Sequence, residues 1–580
     1  MPDLRKEYPR PQLAREDWLC LNGEWEFEVD NGENGEGLKF YERDALSERI
    51  VVPYCPESEL SGVGRKEFMN CVWYRKALEL PACFAGKRAL LHFGAVDYHA
   101  KVYVNGAFAG EHVGGYTPFT LDVTDLLRPG GNYVALCAYD HVRSGQQPSG
   151  KQSNRLESYG CSYTRTTGIW QSVWMEPVNP AHLVSYRVYP DVASCAATLQ
   201  MKLSCPAFGR ELTVRALYEG REVGVSRAVV GGDTVSLTLP LSEKHLWDLG
   251  QGNLYDLEFT LTGGGETLDA AKGYFGLREV GLCGKGMTLN GRVFFGRWVL
   301  DQGFYPDGIY TAPSDAALKK DIEDSMRLGF NGARLHQKVF EPRFLYWADR
   351  LGYVVWGEQG NWGLDHTRLD ALTHFLPEWL EAVERDFNHP SLIGWCPFNE
   401  TWDIRGNRQC DDVLRLTYRA TKAADPTRPV IDTSGNFHVE TDLFDVHDYM
   451  QDPEEFRKCY SRIGEGIVLD QVERGMPGRQ KYPGGPVFVS EYGGIKWAVG
   501  EQADAWGYGK SVQTPEEYLE RYRGLTDSLL DNEHICAFCY TQLYDVEQEQ
   551  NGLMTYDRQF KFDPALFYAI NTRKAKIEED

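Results

Sequence analysis

Two runs in the second half of the chain end an apolar, strand-like stretch on a glutamate: Trp395-Cys396-Pro397-Phe398-Asn399-Glu400 and Val487-Phe488-Val489-Ser490-Glu491-Tyr492-Gly493-Gly494. The carboxyl end of a strand is where a parallel βα barrel keeps its reactive groups. Two glutamates on different strands, facing one mouth, suffice to hydrolyse a glycosidic bond with retention, one carboxyl protonating the leaving oxygen while the other attacks the sugar. Such a pair must stand about 5–5.5 Å apart, near enough for charge on one carboxylate to raise the other's pKa and hold its proton in place. Either glutamate alone reads as a solvated or salt-bridged residue; two in matching contexts read as a reacting pair.

The elements that would position them follow from a change of texture along the chain. To about Asn179, alternating runs such as Val102-Tyr103-Val104-Asn105-Gly106 and Tyr133 to Tyr139 are separated by Gly, Asn and Pro turns, which are strand and hairpin signals. A second all-β stretch runs from 180 to 280, with Leu212 to Tyr218 and Leu254 to Leu261 as its clearest strands. Its length and strand number suit an immunoglobulin-like sandwich. From 281 to 580, short apolar runs alternate with helical segments such as Ala316–Leu328, Glu341–Arg350 and Glu378–Phe387. That alternation predicts a (β/α)8 barrel. Its strands are expected around Val299, Ala333, Val355, Trp395, Val430, Val446, Val489 and Phe538.

Composition sets limits. With 580 residues and 42% hydrophobic content, the chain is too long for one core. A net charge of −23 disfavours a surface that neutralises a phosphate backbone or docks on anionic lipid, so neither nucleic acid nor membrane is an expected partner. The start, Met1 to Tyr8, has no apolar signal core, and the 14 cysteines show no repeated spacing. A cytoplasmic protein with reduced thiols is the expectation. Cys536 and Cys539 form a CxxC, but strand alternation would point them to opposite faces, and no second pair completes a zinc site.

At this point the chain resembles glycoside hydrolase family 2, the family of β-galactosidases, β-glucuronidases and β-mannosidases, over nearly its whole length. Leu21-Asn22-Gly23-Glu24-Trp25, Trp73-Tyr74-Arg75, Gly114 to Phe119 and the run Arg165 to Trp174 are similar to marks of that family's jelly-roll sugar-binding domain, here 1–179. Gly329 to His336, Ala348 to Gly352 and Asn399-Glu400 are similar to its second, third and fourth barrel strands. The resemblance implies Glu400 as general acid/base and Glu491 as nucleophile. It also implies Asn399 as a ligand of the sugar 2-hydroxyl and Tyr449 as a hydrogen-bond donor to the nucleophile. His447, His336 and Arg334 come from strand ends as further pocket residues, with Arg334 expected to orient a glutamate because a buried arginine needs a carboxylate. Glu358 is either that partner or a sugar ligand. Tyr540 is either a stacking platform or core.

Departures from the family pattern fall where the sugar is read. The first barrel strand ends in Asp301-Gln302 rather than Arg-His-Glu, which makes Asp301 a candidate hydroxyl ligand. His336 stands one place early in Arg334-Leu335-His336-Gln337. The Asn-x-Lys of glucuronidases is replaced by Glu549-Gln550-Asn551-Gly552-Leu553, with an acid that would repel a uronate. The reading is therefore an exo-acting retaining β-glycosidase of small glycosides, β-galactosidase-like by family frequency. A β-hexuronidase is the alternative, more readily for galacturonides than glucuronides, with Lys496 or Arg405 as possible carboxylate partners. From another class, a carbohydrate-binding barrel without turnover is the rival, against which the intact acids argue. No cofactor or metal is required. The β domains are expected to wall the barrel mouth or carry contacts of a homo-oligomer.

Overall fold

The computed structural model describes residues 4–500 and 504–579; Met1–Asp3 of the amino-terminal stretch lie outside them. Among the described residues no helix is long and apolar enough to cross a membrane.

The first domain packs a six-stranded antiparallel sheet, in the order Glu48–Val52, Gly23–Val29, Cys71–Leu78, Asn132–Tyr139, His99–Val104, Ala107–Val113, over a four-stranded one. Alternate residues of both, among them Trp25, Phe27, Tyr74, Leu91, Phe93, Val102 and Leu136, face inward and form its core. Asn105 and Gly106, with φ of 54° and 82°, make the two-residue turn that the Asn-Gly pair favours between strands of right-handed twist. The second domain is a sandwich of three and four strands around Leu199, Leu212, Val214, Leu239, Leu257 and Phe259.

The barrel strands are β1 (Gly296–Asp301), β2 (Gly332–Leu335), β3 (Val354–Glu358), β4 (Leu392–Cys396, continued by Phe398–Asn399), β5 (Thr433–Ser434), β6 (Phe444–Asp448), β7 (Val487–Gly493) and β8 (Ile535–Thr541). Seven form one parallel sheet in the order β4-β3-β2-β1-β8-β7-β6, and β5 pairs in parallel with the end of β4. Each expected strand centre lies in its strand except Val430, which makes only a single bridge to Trp395 before β5. The helices are α1 (Asp315–Arg327), α2 (Pro342–Leu351), α3 (Ala371–Asp386), α4 (Asp411–Ala424), α5 (Pro453–Tyr460), α6 (Gln471–Gly475), α7 (Pro515–Leu530) and α8 (Pro564–Asn571). Trp298, Trp356 and Phe488 meet inside the barrel, with ring centroids 4.9–6.0 Å apart. Gly394 makes room for them, since a Cβ there would stand 2.4 Å from the Trp356 ring. This aromatic layer is the dry floor beneath the mouth.

Both β domains dock on the barrel. Trp247 donates to the Asp349 carbonyl (2.7 Å) and Tyr274 to the Asp349 carboxylate (2.8 Å). From the first domain, Ser149 and Gly150 donate their backbone N–H to the Trp362 carbonyl (2.8 and 3.1 Å), and the Tyr116 N–H donates to Glu378 on α3 (2.6 Å). Burial pushes the Glu378 carboxyl up to about 8.

A carboxyl raised on folding is protonated in the folded chain and ionised in the unfolded one between its ordinary 4.5 and about 8. The unfolded state then binds fewer protons, so stability falls as pH rises through that window, by about 1.4 kcal/mol per pH unit for one group. Thermal melts from pH 5 to pH 8 are expected to show this decline in the native protein and a shallower one in Glu378→Gln. Equal slopes would mean that Glu378 is ionised in the fold.

Candidate active site

The reactive side chains stand where parallel strands run out. Glu358 ends β3, Asn399 ends β4 with Glu400 next, Ser434 ends β5, His447 lies in β6, Glu491 in β7 and Thr541 at the end of β8. Arg334 lies in β2 and His336 just beyond it. All belong to one mouth.

Arg334 organises the cluster. Its guanidinium, 1% exposed, donates to Glu358 (2.6 Å), the Ser490 carbonyl (2.7 Å), Glu491 (3.2 Å) and the Asn399 side-chain oxygen (3.0 Å). Burial alone would lower its pKa, but Glu358 and Glu491 raise it well above the usual value, so it is a fixed cation. Glu358 is its partner, and its second oxygen meets His336 Nδ1 (3.0 Å) and the Gln337 N–H (3.3 Å). His336 is driven well below its ordinary pKa by burial and by Lys151, and is neutral.

The two glutamates are bridged by an imidazole. His447 Nδ1 lies 2.8 Å from Glu400 and 3.4 Å from Glu491. A ligand atom from each of the three lies within 4.8 Å of the others, closer than the separation that leaves room for a water between two acids. Ser434 Oγ stands 2.9 Å from His447 Nε2 and donates to Asp445 (2.8 Å). Tyr449 donates a short hydrogen bond to Glu491, and its ring stacks on Tyr508. Glu400 has a left-handed backbone, φ 48°, held by its N–H on the Ser434 carbonyl (2.8 Å) and by the Trp402 N–H on its own carbonyl (2.8 Å). That conformation costs an L residue roughly 1–2 kcal/mol.

Electrostatics correct one expectation from spacing. Burial would raise the Glu400 carboxyl, and the charge of Glu491 was expected to do the same. The His447 hydrogen bond and charge outweigh burial and leave Glu400 below the ordinary carboxylate value. Burial likewise raises Glu491, and His447 with Arg334 brings it below the ordinary value. Burial lowers His447, but Glu491 and Glu400 raise it above the usual imidazole. All three directions favour a proton on the imidazole between the two acids.

Asn399 presents a buried side-chain NH2 with no partner among the described residues. Its backbone is clamped by Asn361 (2.9 and 3.0 Å) and by the Trp362 indole N–H (3.2 Å). A donor left unmade in this position suits a sugar hydroxyl.

Two expected residues do not join. Asp301 shares its register with Leu335, while Leu300 stands beside Arg334, so alternation turns Asp301 away from the mouth. There it accepts from the Gly303 N–H (2.9 Å) and from Tyr544, and burial pushes it up to about 6. Tyr540, 0% exposed, sits among Tyr492, Tyr518 and Tyr522 and bonds the Tyr518 hydroxyl (2.7 Å); it is core, not a sugar platform. Its neighbour Thr541 faces inward and meets Tyr449 (3.1 Å). Among the described residues, Lys496 and Arg405 make no hydrogen bond or ion pair with either glutamate; Lys496 is half-buried and Arg405 exposed on the loop beyond Glu400.

The cation that does approach the site is Lys151, from the first domain. It is 6% exposed, its ammonium rests 4.2 Å over the Trp362 ring, and among the described residues that ammonium makes no hydrogen bond or ion pair. Burial would lower its pKa, but Cys161, Glu549, Glu491 and Glu400 raise it, so it stays charged. Glu549, by contrast, is satisfied by Tyr163 (2.5 Å) and Asn551 (3.0 Å).

Residues 19–175 match the model of glycosyl hydrolases family 2, sugar binding domain; 181–278 match glycosyl hydrolases family 2; 312–573 match the TIM barrel domain of the same family. A β-glucuronidase of Paenibacillus borealis is 24% identical over 96% of each chain. A β-galactosidase of Bacteroides ovatus is 26% identical over 67% of this chain and 47% of its own. Among solved structures, the β-glucuronidase of Ruminococcus gnavus in complex with D-glucuronic acid superposes with TM-score 0.78 at 20% identity, covering 98% of this chain and 99% of that one. The Bifidobacterium dentium β-glucuronidase complexed with coumarin-3-O-glucuronide gives 0.78 at 19%, covering 98% of each.

The bridging position of His447 is open to titration. Replacing Glu491 by Gln removes one of its two anions and is expected to lower the His447 pKa. Histidine NMR, with His447→Gln to identify the signal, reads the shift. An unmoved pKa would mean that Glu491 does not hold the imidazolium.

Proposed function

The chain belongs to the glycosyl hydrolases of family 2, a family of retaining O-glycosidases, and on that footing we propose an exo-β-glycosidase with nucleophile Glu491, acid/base Glu400 and a hexuronic acid as its terminal sugar. The observation that carries the roles is the cluster of Glu400, His447 and Glu491, with ligand atoms within 4.8 Å of one another. Glu491, held ionised by His447 and Arg334, attacks the anomeric carbon as the bond to the leaving oxygen breaks. Glu400 relays to that oxygen a proton that it receives from His447 across 2.8 Å, which leaves Glu400 ionised and His447 neutral. The ester neutralises Glu491, which removes half of the charge that held the proton on His447. Glu400 then takes a proton from water, and the resulting hydroxide displaces Glu491. Asn399 meets the 2-hydroxyl, where a hydrogen bond strengthens as positive charge develops on the ring.

The sugar reading rests on Lys151. Nearby acids keep its ammonium charged, yet none among the described residues bonds it, so it is open to an anion on a ligand. A carboxylate on the terminal sugar completes it, while Glu549 already has its donors. The β-glucuronidase relatives and structural neighbours point the same way. A β-galactoside is the second reading, supported by the β-galactosidase relatives.

Glu491→Gln is expected to reduce turnover of every aryl β-glycoside by at least about 1,000-fold, or about 4 kcal/mol, with the fold unchanged by circular dichroism. Glu400→Gln should spare aryl glycosides with good leaving groups and fail on alkyl ones. Near-normal hydrolysis by the first variant, or equal losses on both substrates by the second, would remove that residue from its role. On a panel of aryl β-glucuronide, β-galacturonide, β-galactoside, β-glucoside and β-mannoside, a uronide should lead by about 100-fold in kcat/KM, about 2.7 kcal/mol. Lys151→Ala should lower the uronide rate about as much and the galactoside rate little. A galactoside in the lead, with Lys151→Ala harmless, would establish the second reading.

A further inference from the structure

We propose that the cleft between the first domain and the barrel, beyond Trp362, is a leaving-group site for an acidic sugar residue, which makes the natural substrate an acidic oligosaccharide. This rests on the reading of Glu400 as acid/base. A proton donor must face the glycosidic oxygen, so the leaving group extends from the Glu400 side of the pocket. The loop that continues from Glu400 runs in that direction, and its Ile404 and Arg405 line a cavity of about 580 Å3. That volume lies within the range of sites that enclose a small organic ligand.

Trp362 stands between the two spaces. Its indole N–H holds the carbonyl of Asn399, one face carries Lys151, and the ring also lines the cleft. Across from it, the segment 142–162 of the first domain supplies Arg143, Ser144, Gln146 and Tyr159. Aromatic rings suit the C–H faces of a pyranose, and hydroxyl and amide groups suit its hydroxyls. A flat apolar aglycone would leave these polar groups unmet. The cations are unequally committed. Arg368 pairs with Asp370 (3.0 Å), whereas Arg143 lies 4.0 Å over the Phe68 ring without an ion pair, and Arg405 is exposed without one among the described residues. Arg405 and Arg143 therefore remain to meet a carboxylate or sulfate on the incoming sugar.

The test uses the full chain and the terminal sugar identified by the aryl panel. Three substrates share that sugar: a p-nitrophenyl glycoside, a disaccharide with a neutral reducing-end sugar, and one with a uronic acid there. The acidic disaccharide is expected to exceed the neutral one at least about tenfold in kcat/KM. Tyr159→Ala and Arg405→Gln should each raise KM for it about tenfold and change the p-nitrophenyl rate less than about threefold. Equal rates on the two disaccharides, or variants that slow the p-nitrophenyl substrate as much as the acidic disaccharide, would overturn the proposal. Absence of hydrolysis of every aryl glycoside would instead refute the catalytic reading itself. A disaccharide that is bound and not cut, with the aryl substrate still turned over, also counts against the proposal.

Discussion

The site depends on one buried guanidinium. Arg334 touches carboxylates from β3 and β7, an amide from β4 and a carbonyl of β7, so four strands of the barrel are registered on a single charged group. Its burial above Trp298, Trp356 and Phe488 strengthens every one of these contacts, because no water competes. The same burial makes the arrangement unforgiving. Without Arg334, both Glu358 and Glu491 would keep their charges in a dry place, a loss of the order of 3–5 kcal/mol for a broken buried pair. Glu358 holds its position through this constraint: it completes Arg334 and fixes His336.

Around that fixed cation, the movable charge is a single proton. Carboxyl spacing alone argues that Glu491 should hold the proton on Glu400. The imidazole of His447 alters the balance because it stands between both acids and is stabilised as a cation by both. Ser434 and Asp445 behind it keep the ring oriented. The strained backbone at Glu400 has a reason in this setting: the left-handed turn at the end of β4 carries the carboxyl toward His447. Formation of a covalent ester at Glu491 would remove one of the two charges, and the proton would then favour a different resting place. Coupling of this kind belongs to the pair and the imidazole together, not to any one group.

How much of this could be read from the chain depended on whether the information was local. Glu400, Glu491, Asn399 and Tyr449 lie in short strand-end motifs, and strand ends in a parallel barrel converge whatever the loops do. Arg334 was legible as an orienting residue because an arginine in an apolar strand must find a carboxylate. Asp301 and Tyr540 misled for one reason: each follows by a single residue the position that faces inward, Leu300 in β1 and Cys539 in β8, and a one-residue shift in a strand reverses the face. The β5 strand was misplaced by a few residues because it is reduced to a short pair beside β4. Lys151 left no signal of any kind, since its place depends on a domain docking through backbone contacts to the Trp362 carbonyl.

That a lone cation should arrive from another domain has a physical logic. The barrel mouth is lined by Glu358, Glu400, Glu491 and Glu549, and a lysine on any neighbouring strand end would reach one of them and be neutralised. Lys151 enters from outside, and an indole face, which attracts a cation without accepting a hydrogen bond, holds it short of those partners. The acids still raise its pKa, so the charge is kept while the hydrogen-bonding valence stays open. An anionic group on a ligand would find there an ammonium that no acid among the described residues binds. On this argument the sugar-binding domain is part of the substrate site, and its docking on α3 and on the Trp362 loop is a condition for recognising the ligand.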